Sequence, residues 1–144
     1  MINDSGSDID KEFLEMFVKE SEVILLDLKN CLACFKEVED VHYFEKYGQQ
    51  VDRLMGTAYT LSLNFIGDLA KMGKEIGYKS SQLNEPKKLI IIHSLLGQLQ
   101  RALESLVRSL RNGIQPDFDD CQPLLQRLRM ANESLGDLRA TLES

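Results

Sequence analysis

The chain has 144 residues, of which 28% are charged, with 17 Lys and Arg against 23 Asp and Glu. This length suits one domain, and the net charge of −6 argues against a protein that binds the phosphate backbone of nucleic acids. No apolar run reaches the roughly 18 residues of a membrane span, and the polar, acidic start is unlike a signal peptide. We therefore expect a cytoplasmic protein with neither a membrane nor a nucleic-acid partner.

Helical periodicity runs along the chain, and no segment alternates as a strand would. Residues 1–8 are small and polar and are expected to form a flexible N-terminus, ahead of a single domain over 9–144. A first helix is predicted from Asp8 or Asp10 to about Lys36. Its core-facing side is formed by apolar residues at helical spacing: Phe13, Phe17, Ile24, Leu28, Cys31 and Phe35.

A central helix is predicted over residues 41–62. Its apolar side is Phe44, Tyr47, Val51, Leu54, Met55, Ala58 and Leu61. A second row adjoins this apolar side of the helix. It consists of Gly48, Asp52 and Gly56, which are spaced one helical turn apart. Each interior glycine costs a helix about 1 kcal/mol relative to alanine, so the two glycines need an explanation. They either leave a bare surface for a partner or admit a neighbouring helix of the same molecule, and spacing alone leaves both open.

Three further helices are predicted. The third begins at a cap, Ser62 or Asn64, and is expected to end at Gly77. The fourth begins at residues 84–86 and has an unbroken stripe: Leu89, Ile92, Leu96, Leu99, Leu103, Leu106 and Leu110. The fifth, over about 120–142, shows Leu124, Leu128, Ala131, Leu135, Leu138 and Leu142. Short connections between long amphipathic helices predict an all-α fold, an antiparallel up-down four-helix bundle with an additional fifth C-terminal helix.

Few residues suggest chemistry. Cys31 and Cys34 have the spacing of zinc ligands, but they lie within a helix and lack a second pair, so we interpret them as small core residues. No phosphate-binding loop and no nucleophile with an adjacent base is recognisable. We therefore expect no enzymatic activity, no cofactor and no metal site. His93 lies beside the leucine stripe and is interpreted as a partly buried histidine with a local hydrogen bond.

One run of residues resembles a known family. Asp52-Arg-Leu-Met-Gly-Thr-Ala58 is similar to the signature His-x-Leu-Lys-Gly-Ser-Ala of histidine phosphotransfer (Hpt) domains, and most like the N-terminal phosphotransfer domain of CheA-type chemotaxis kinases. The similarity continues through TLSLNFIGDLAKMGKEI and includes Phe17, Glu20 and Leu28 of the first helix, so that it covers roughly residues 10–113. This branch of the family also has a fifth helix. The resemblance implies a bacterial protein of two-component, phosphorelay or chemotaxis-like signalling.

The sequence departs from the family where the chemistry resides. Asp52 stands at the position of the phosphoacceptor histidine, and Met55 at that of the lysine that assists at the phosphoryl group. Gly56, Thr57 and Ala58 keep the small positions. An aspartate on a helix lacks the acidic, metal-binding pocket in which receiver aspartates accept phosphoryl groups. The resemblance therefore implies a degenerate Hpt domain with no catalytic residue, in which Asp52 would supply a fixed negative charge.

The expected partner is a response-regulator receiver domain or another chemotaxis-type signalling protein, bound without phosphate transfer. The predicted binding surface consists of Gly48, Gln49, Asp52, Arg53, Met55, Gly56 and Tyr59. Two alternatives stay open. In the first, the chain is a structural or oligomerisation bundle whose glycines serve internal packing. In the second, His93-Ser-Leu-Leu-Gly97, which also fits His-x-Leu-x-Gly, makes it an active phosphotransfer protein.

Overall fold

The computed structural model describes residues 10–136, and all regular secondary structure in this range is helical. The helices are α1 (Lys11–Val38), α2 (His42–Thr60), α3 (Asn64–Ser80), α4 (Pro86–Arg111) and α5 (Gln122–Leu135), with a short 3-10 helix at Asp119–Cys121. The all-helical prediction is confirmed for these residues. The predicted flexible N-terminus (1–8) and the last leucines of the fifth helix, Leu138 and Leu142, lie outside the described residues. None of the five helices combines the length and apolar character needed to cross a bilayer.

Helix ends follow the predicted signals at α1 and α4 but not at α3. The predicted cap of α3 at Ser62 or Asn64 is wrong, because Leu63 precedes the helix and no side chain caps it. Asp10 caps α1, and its carboxylate accepts a hydrogen bond from the backbone N–H of Glu12 at 2.7 Å. Pro86 stands in the first turn of α4, where its missing N–H costs nothing. The prediction that Gly77 ends the third helix is wrong, because α3 continues to Ser80. Gly77 instead marks a close helix crossing, since a Cβ atom there would lie 2.8 Å from the carbonyl oxygen of Phe44.

Among the first four helices, each packs against the next along the chain, and α4 also packs against α1. Two hydrogen bonds fix the direction of this last contact. The His93 ring bonds the carbonyl oxygen of Leu32 at 2.8 Å, and the Gln100 amide donates to the carbonyl of Leu25 at 2.7 Å. Residue numbers rise along one helix as they fall along the other, so α1 and α4 are antiparallel.

The fifth helix packs mainly on α3. Near its C-terminal end, the Asn132 side chain accepts a hydrogen bond from Lys79 at 2.9 Å and donates one to Glu75 at 2.8 Å. Just before its N-terminal end, the ring of Phe118 lies 5.1 Å from that of Phe65. Residue numbers rise together in these contacts, so α5 runs parallel to α3.

All five helices contribute to one apolar core. Its largest fully buried side chains are Phe17, Ile24, Leu28, Phe44, Tyr47, Leu54, Ile66, Leu69, Ile76, Leu96, Leu99 and Leu103. The predicted stripe of the fourth helix is buried along its whole length. The prediction that Phe13 faces the core is wrong, since it is 57% exposed. Phe17 and Val18, one turn further along, are buried, so α1 joins the core only from its second turn.

Candidate functional site

The predicted partner surface lies on the side of α2 that faces away from the core. Four of its residues, Gln49, Asp52, Arg53 and Gly56, are exposed or partly exposed, and we call them the outer α2 face. Met55 turns partly inward and packs against the core. The outer α2 face is therefore a polar ridge with one glycine at its C-terminal end.

The two glycines around Asp52 have different surroundings. Gly48 is buried, and a Cβ atom there would lie 3.2 Å from both the carbonyl oxygen of Lys74 and the ring of Tyr78. Gly56 is exposed, and a Cβ atom there would meet nothing within 4 Å. The expectation that both glycines lie bare is thus wrong for Gly48, because α3 occupies that side of the helix. Gly56 alone is open.

The Asp52 carboxylate is paired within the molecule. The Lys74 ammonium donates to it at 3.0 Å, with both side chains partly exposed. This hydrogen bond raises the pKa of Lys74, although desolvation acts in the opposite direction. A pair this exposed contributes little to stability, but it neutralises the carboxylate. The expected isolated negative charge at Asp52 is therefore replaced by an ion pair between α2 and α3.

Tyr59 lies at the edge of this surface and is held in place by α3. Its hydroxyl donates a hydrogen bond to Asp68 at 2.7 Å. Its ring lies so close to Gly67 that any side chain at that position would collide with it. Burial, followed by the hydrogen bond and the charge of Asp68, raises the pKa of Tyr59 to about 12. Tyr59 is thus a fixed border of the outer α2 face.

Replacing Asp68 tests this arrangement. We expect Asp68→Asn to lower the pKa of Tyr59 below 12 but not fully to the ordinary value near 10, because burial remains. Because folding raises the pKa of Tyr59, its neutral hydroxyl adds to the free energy of unfolding below about pH 10. This contribution is lost as the pH rises towards 12. Ultraviolet titration of tyrosinate measures the shift, and Tyr59→Phe identifies the step. An unchanged titration in Asp68→Asn would contradict the bond.

His93 is partly buried between α1 and α4. Its Nε2 lies 2.8 Å from the carbonyl oxygen of Leu32, and its ring centre lies 5.7 Å from that of Phe35. Because a carbonyl oxygen only accepts, Nε2 must carry the proton of this hydrogen bond. The partly buried position expected for His93 is confirmed, but its hydrogen bond is not local, because it joins α4 to α1. Only Nδ1 remains as a nucleophilic nitrogen.

The three cysteines are free and half-buried. Burial raises the pKa of the Cys31 thiol, and the nearby Lys46 acts against this shift without cancelling it. Burial, together with Asp120 and Asp117, raises the pKa of Cys121 as well. Within residues 10–136, no three His, Cys, Asp or Glu side chains converge as metal ligands would.

Two contacts at this site were missed by reasoning from sequence, Lys74 with Asp52 and Asp68 with Tyr59. The sequence did contain a signal for the first contact. Asp52 and Lys74 are equally distant in sequence from Leu63, which lies in the turn between α2 and α3, and such residues lie side by side in an antiparallel helix pair. A scan of protein-family models found no match to this chain, and searches of curated proteins and of solved structures found none either. The functional argument therefore rests on the residues of α2 and α3.

Proposed function

We propose that the chain is a degenerate Hpt-like module that binds a receiver domain through the outer α2 face without transferring phosphate. In this proposal α1 to α4 form an antiparallel up-down four-helix bundle, and α5 is added against α3. Gly56 is the observation that carries the proposal. It costs the helix about 1 kcal/mol relative to alanine, and no contact within the described residues requires it. A glycine in the open is useful where the backbone of a partner must approach closely.

The charges around Gly56 do not repel an acidic partner. Asp52 and Asp68 contribute one negative charge each, while Lys74 and Arg53 contribute one positive charge each. The site as a whole is therefore close to neutral, although its central residue is a carboxylate. Receiver domains, by the Hpt resemblance, present an acidic pocket at this place, and Lys74 removes the repulsion that Asp52 alone would cause.

Phosphate transfer is left out of the proposal for a chemical reason. The outer α2 face has no imidazole, and the lysine of the family motif is replaced by Met55, whose thioether carries no charge. Asp52 is engaged by Lys74, and between residues 10 and 136 no further carboxylates gather around it to hold a divalent cation. The surface has features for docking and lacks the groups that would accept and stabilise a phosphoryl group.

A titration tests the proposal. Isotope-labelled protein is titrated with receiver domains from the same organism, with and without a phosphoryl mimic such as beryllofluoride. We expect amide shifts to cluster at Gln49, Asp52, Arg53 and Gly56. Gly56→Gln should weaken binding at least tenfold, because a long side chain then stands where the partner must approach. Gly97→Gln is the matched control, since Gly97 is also helical and has only the mobile end of Arg101 within 4 Å of an added Cβ atom.

The controls separate docking from folding. Both glutamine variants gain helix propensity, so neither should unfold more readily than the parent protein. If Gly56→Gln binds as well as Gly97→Gln, the outer α2 face is not the interface. If no receiver domain binds at all, the structural bundle is the better explanation, and the packed surroundings of Gly48 already agree with it for that glycine.

Active phosphotransfer through His93 remains the other alternative. It predicts an acid-labile phosphoryl label on the protein that His93→Gln abolishes. The hydrogen bond from Nε2 to Leu32 would leave Nδ1 as the only acceptor. A label that persists in His93→Gln would exclude this histidine, and the absence of any label agrees with docking alone.

A further inference from the structure

The solvent side of α1 carries large apolar residues that none of the other described helices covers. Met16, Val23 and Leu26 are 63%, 61% and 59% exposed. With three polar or small residues they form a row whose spacing alternates between three and four, and we call this row the α1 seam: Met16, Lys19, Val23, Leu26, Asn30 and Ala33. Such spacing is typical of a helix that packs against another helix in a coiled coil. α1 therefore has a second packing side, opposite the one that faces its own core.

We propose that the α1 seam binds a second copy of this chain, with the two α1 helices antiparallel about a two-fold axis. When Val23 lies opposite Leu26 of the second copy, symmetry repeats the same layer on the other side of the axis. Met16 then lies opposite Ala33 of the second copy, a large residue against a small one. The two central layers of this contact are apolar, and a polar layer of Lys19 and Asn30 separates them on each side from the outer layer of Met16 and Ala33.

Charges along one flank of the seam select the antiparallel orientation. This flank, on the side of α4, carries residues at intervals of seven: Glu15, Glu22, Lys29 and Lys36. In the antiparallel register Glu22 faces Lys29 of the second copy, and Glu15 faces Lys36. By symmetry this gives four pairs of opposite charge. In a parallel pair the same glutamates would face Glu20 and Asp27 of the second copy, which places acid against acid.

Other charges near the seam moderate the association. On the flank towards α2, Glu20 faces Asp27 of the second copy and repels it. At low salt, where this repulsion is least screened, it should offset part of the attraction between the opposite charges on the flank towards α4. Glu22 also pairs with Arg111 of its own chain at 2.9 Å, which adds a cation beside the seam. The α1 seam and the outer α2 face lie on different helices. The proposal therefore does not depend on receiver binding.

Sedimentation equilibrium of the full chain across the micromolar range tests the association. The parent protein should show a reversible monomer–dimer equilibrium. Val23→Glu places two carboxylates in the central layers and should weaken the dimer about 100-fold. Ile91→Glu on α4 is the matched control, because Ile91 is 68% exposed and lies outside the seam. It should leave the equilibrium unchanged, and thermal melts should show that both variants fold.

Charge reversal tests the orientation. Glu15→Lys alone, or Lys36→Glu alone, sets like charges against each other and should weaken the dimer several-fold. The double variant Glu15→Lys/Lys36→Glu restores opposite charges and should regain the parent affinity. A parent protein that stays monomeric, or a Val23→Glu variant that associates equally well, overturns the proposal. Weakening by both single variants without rescue in the double variant overturns the antiparallel register.

Discussion

Gly77→Ala is expected to lower the free energy of unfolding by about 2 to 3 kcal/mol. The added Cβ atom would lie 2.8 Å from the carbonyl oxygen of Phe44 and 3.1 Å from the backbone nitrogen of Gly48. Both neighbours are backbone atoms, so no flexible side-chain end can move aside. The helices α2 and α3 must separate instead, which loosens contacts along the whole pair. Urea denaturation measures the change, and thermal melting should fall by about 3 °C per kcal/mol.

Gly56→Ala is the matched control for this variant. It makes the same chemical change in the neighbouring helix, but its Cβ atom has nothing within 4 Å. Stability should therefore rise by up to about 1 kcal/mol, through helix propensity alone. The opposite signs of the two variants are the informative result. Equal stability of Gly77→Ala and the parent protein would mean that α2 and α3 cross less closely than described.

A double-mutant cycle on Gly73 and Leu99 should give the second large effect. Leu99 is fully buried on α4, and Leu99→Ala should cost about 2 to 5 kcal/mol through lost burial and the cavity it leaves. A Cβ atom at Gly73 would lie 2.7 Å from Cδ2 of Leu99. Gly73→Ala alone should therefore cost about 1 to 3 kcal/mol, because Leu99 is forced out of its position.

In the double variant, the new methyl group enters space that the shortened residue 99 has vacated. The combined loss should be smaller than the sum of the single losses by about 1 kcal/mol or more. Leu28→Ala, at a fully buried position on α1, provides the control cycle with Gly73→Ala. That control should be additive, since Leu28 is not among the nearest neighbours of Gly73. Additivity in the Gly73 and Leu99 cycle itself would contradict the contact between α3 and α4.

The helices could be predicted because apolar spacing reports which side of each is buried. The stripe of α4 shows this well, from Leu89 to Leu110. The same local pattern could not distinguish Gly48 from Gly56, because both stand one turn from Asp52. Only the packing of α3 places a neighbour beside one glycine and none beside the other. The family motif likewise identified Asp52 but not the cation that neutralises it, since Lys74 belongs to another helix.

Phe13 shows the limit of the same reasoning. Its spacing matches the core side of α1, which is buried from Phe17 onwards, and the sequence contains no sign that the first turn of the helix stays outside the core. The α1 seam was not predicted either, because its apolar residues share this side of the helix with Lys19 and Asn30 and are flanked by charges, a pattern typical of a solvent-exposed side. In each of these cases, the packing of the helices against one another, and not helix propensity, determines whether the residue is buried or exposed.

The pairing of α1 with α4 has a kinetic consequence. The hydrogen bonds that join these helices link residues 61 and 75 positions apart in the chain, whereas Tyr59 and Asp68 are 9 apart. Bringing distant segments together costs more chain entropy, so contacts between near neighbours form first. We therefore expect the hairpin of α2 and α3 to form early in folding and α4 to close onto α1 late. The helices that carry the proposed docking surface would then acquire their mutual geometry before the first and fourth helices meet.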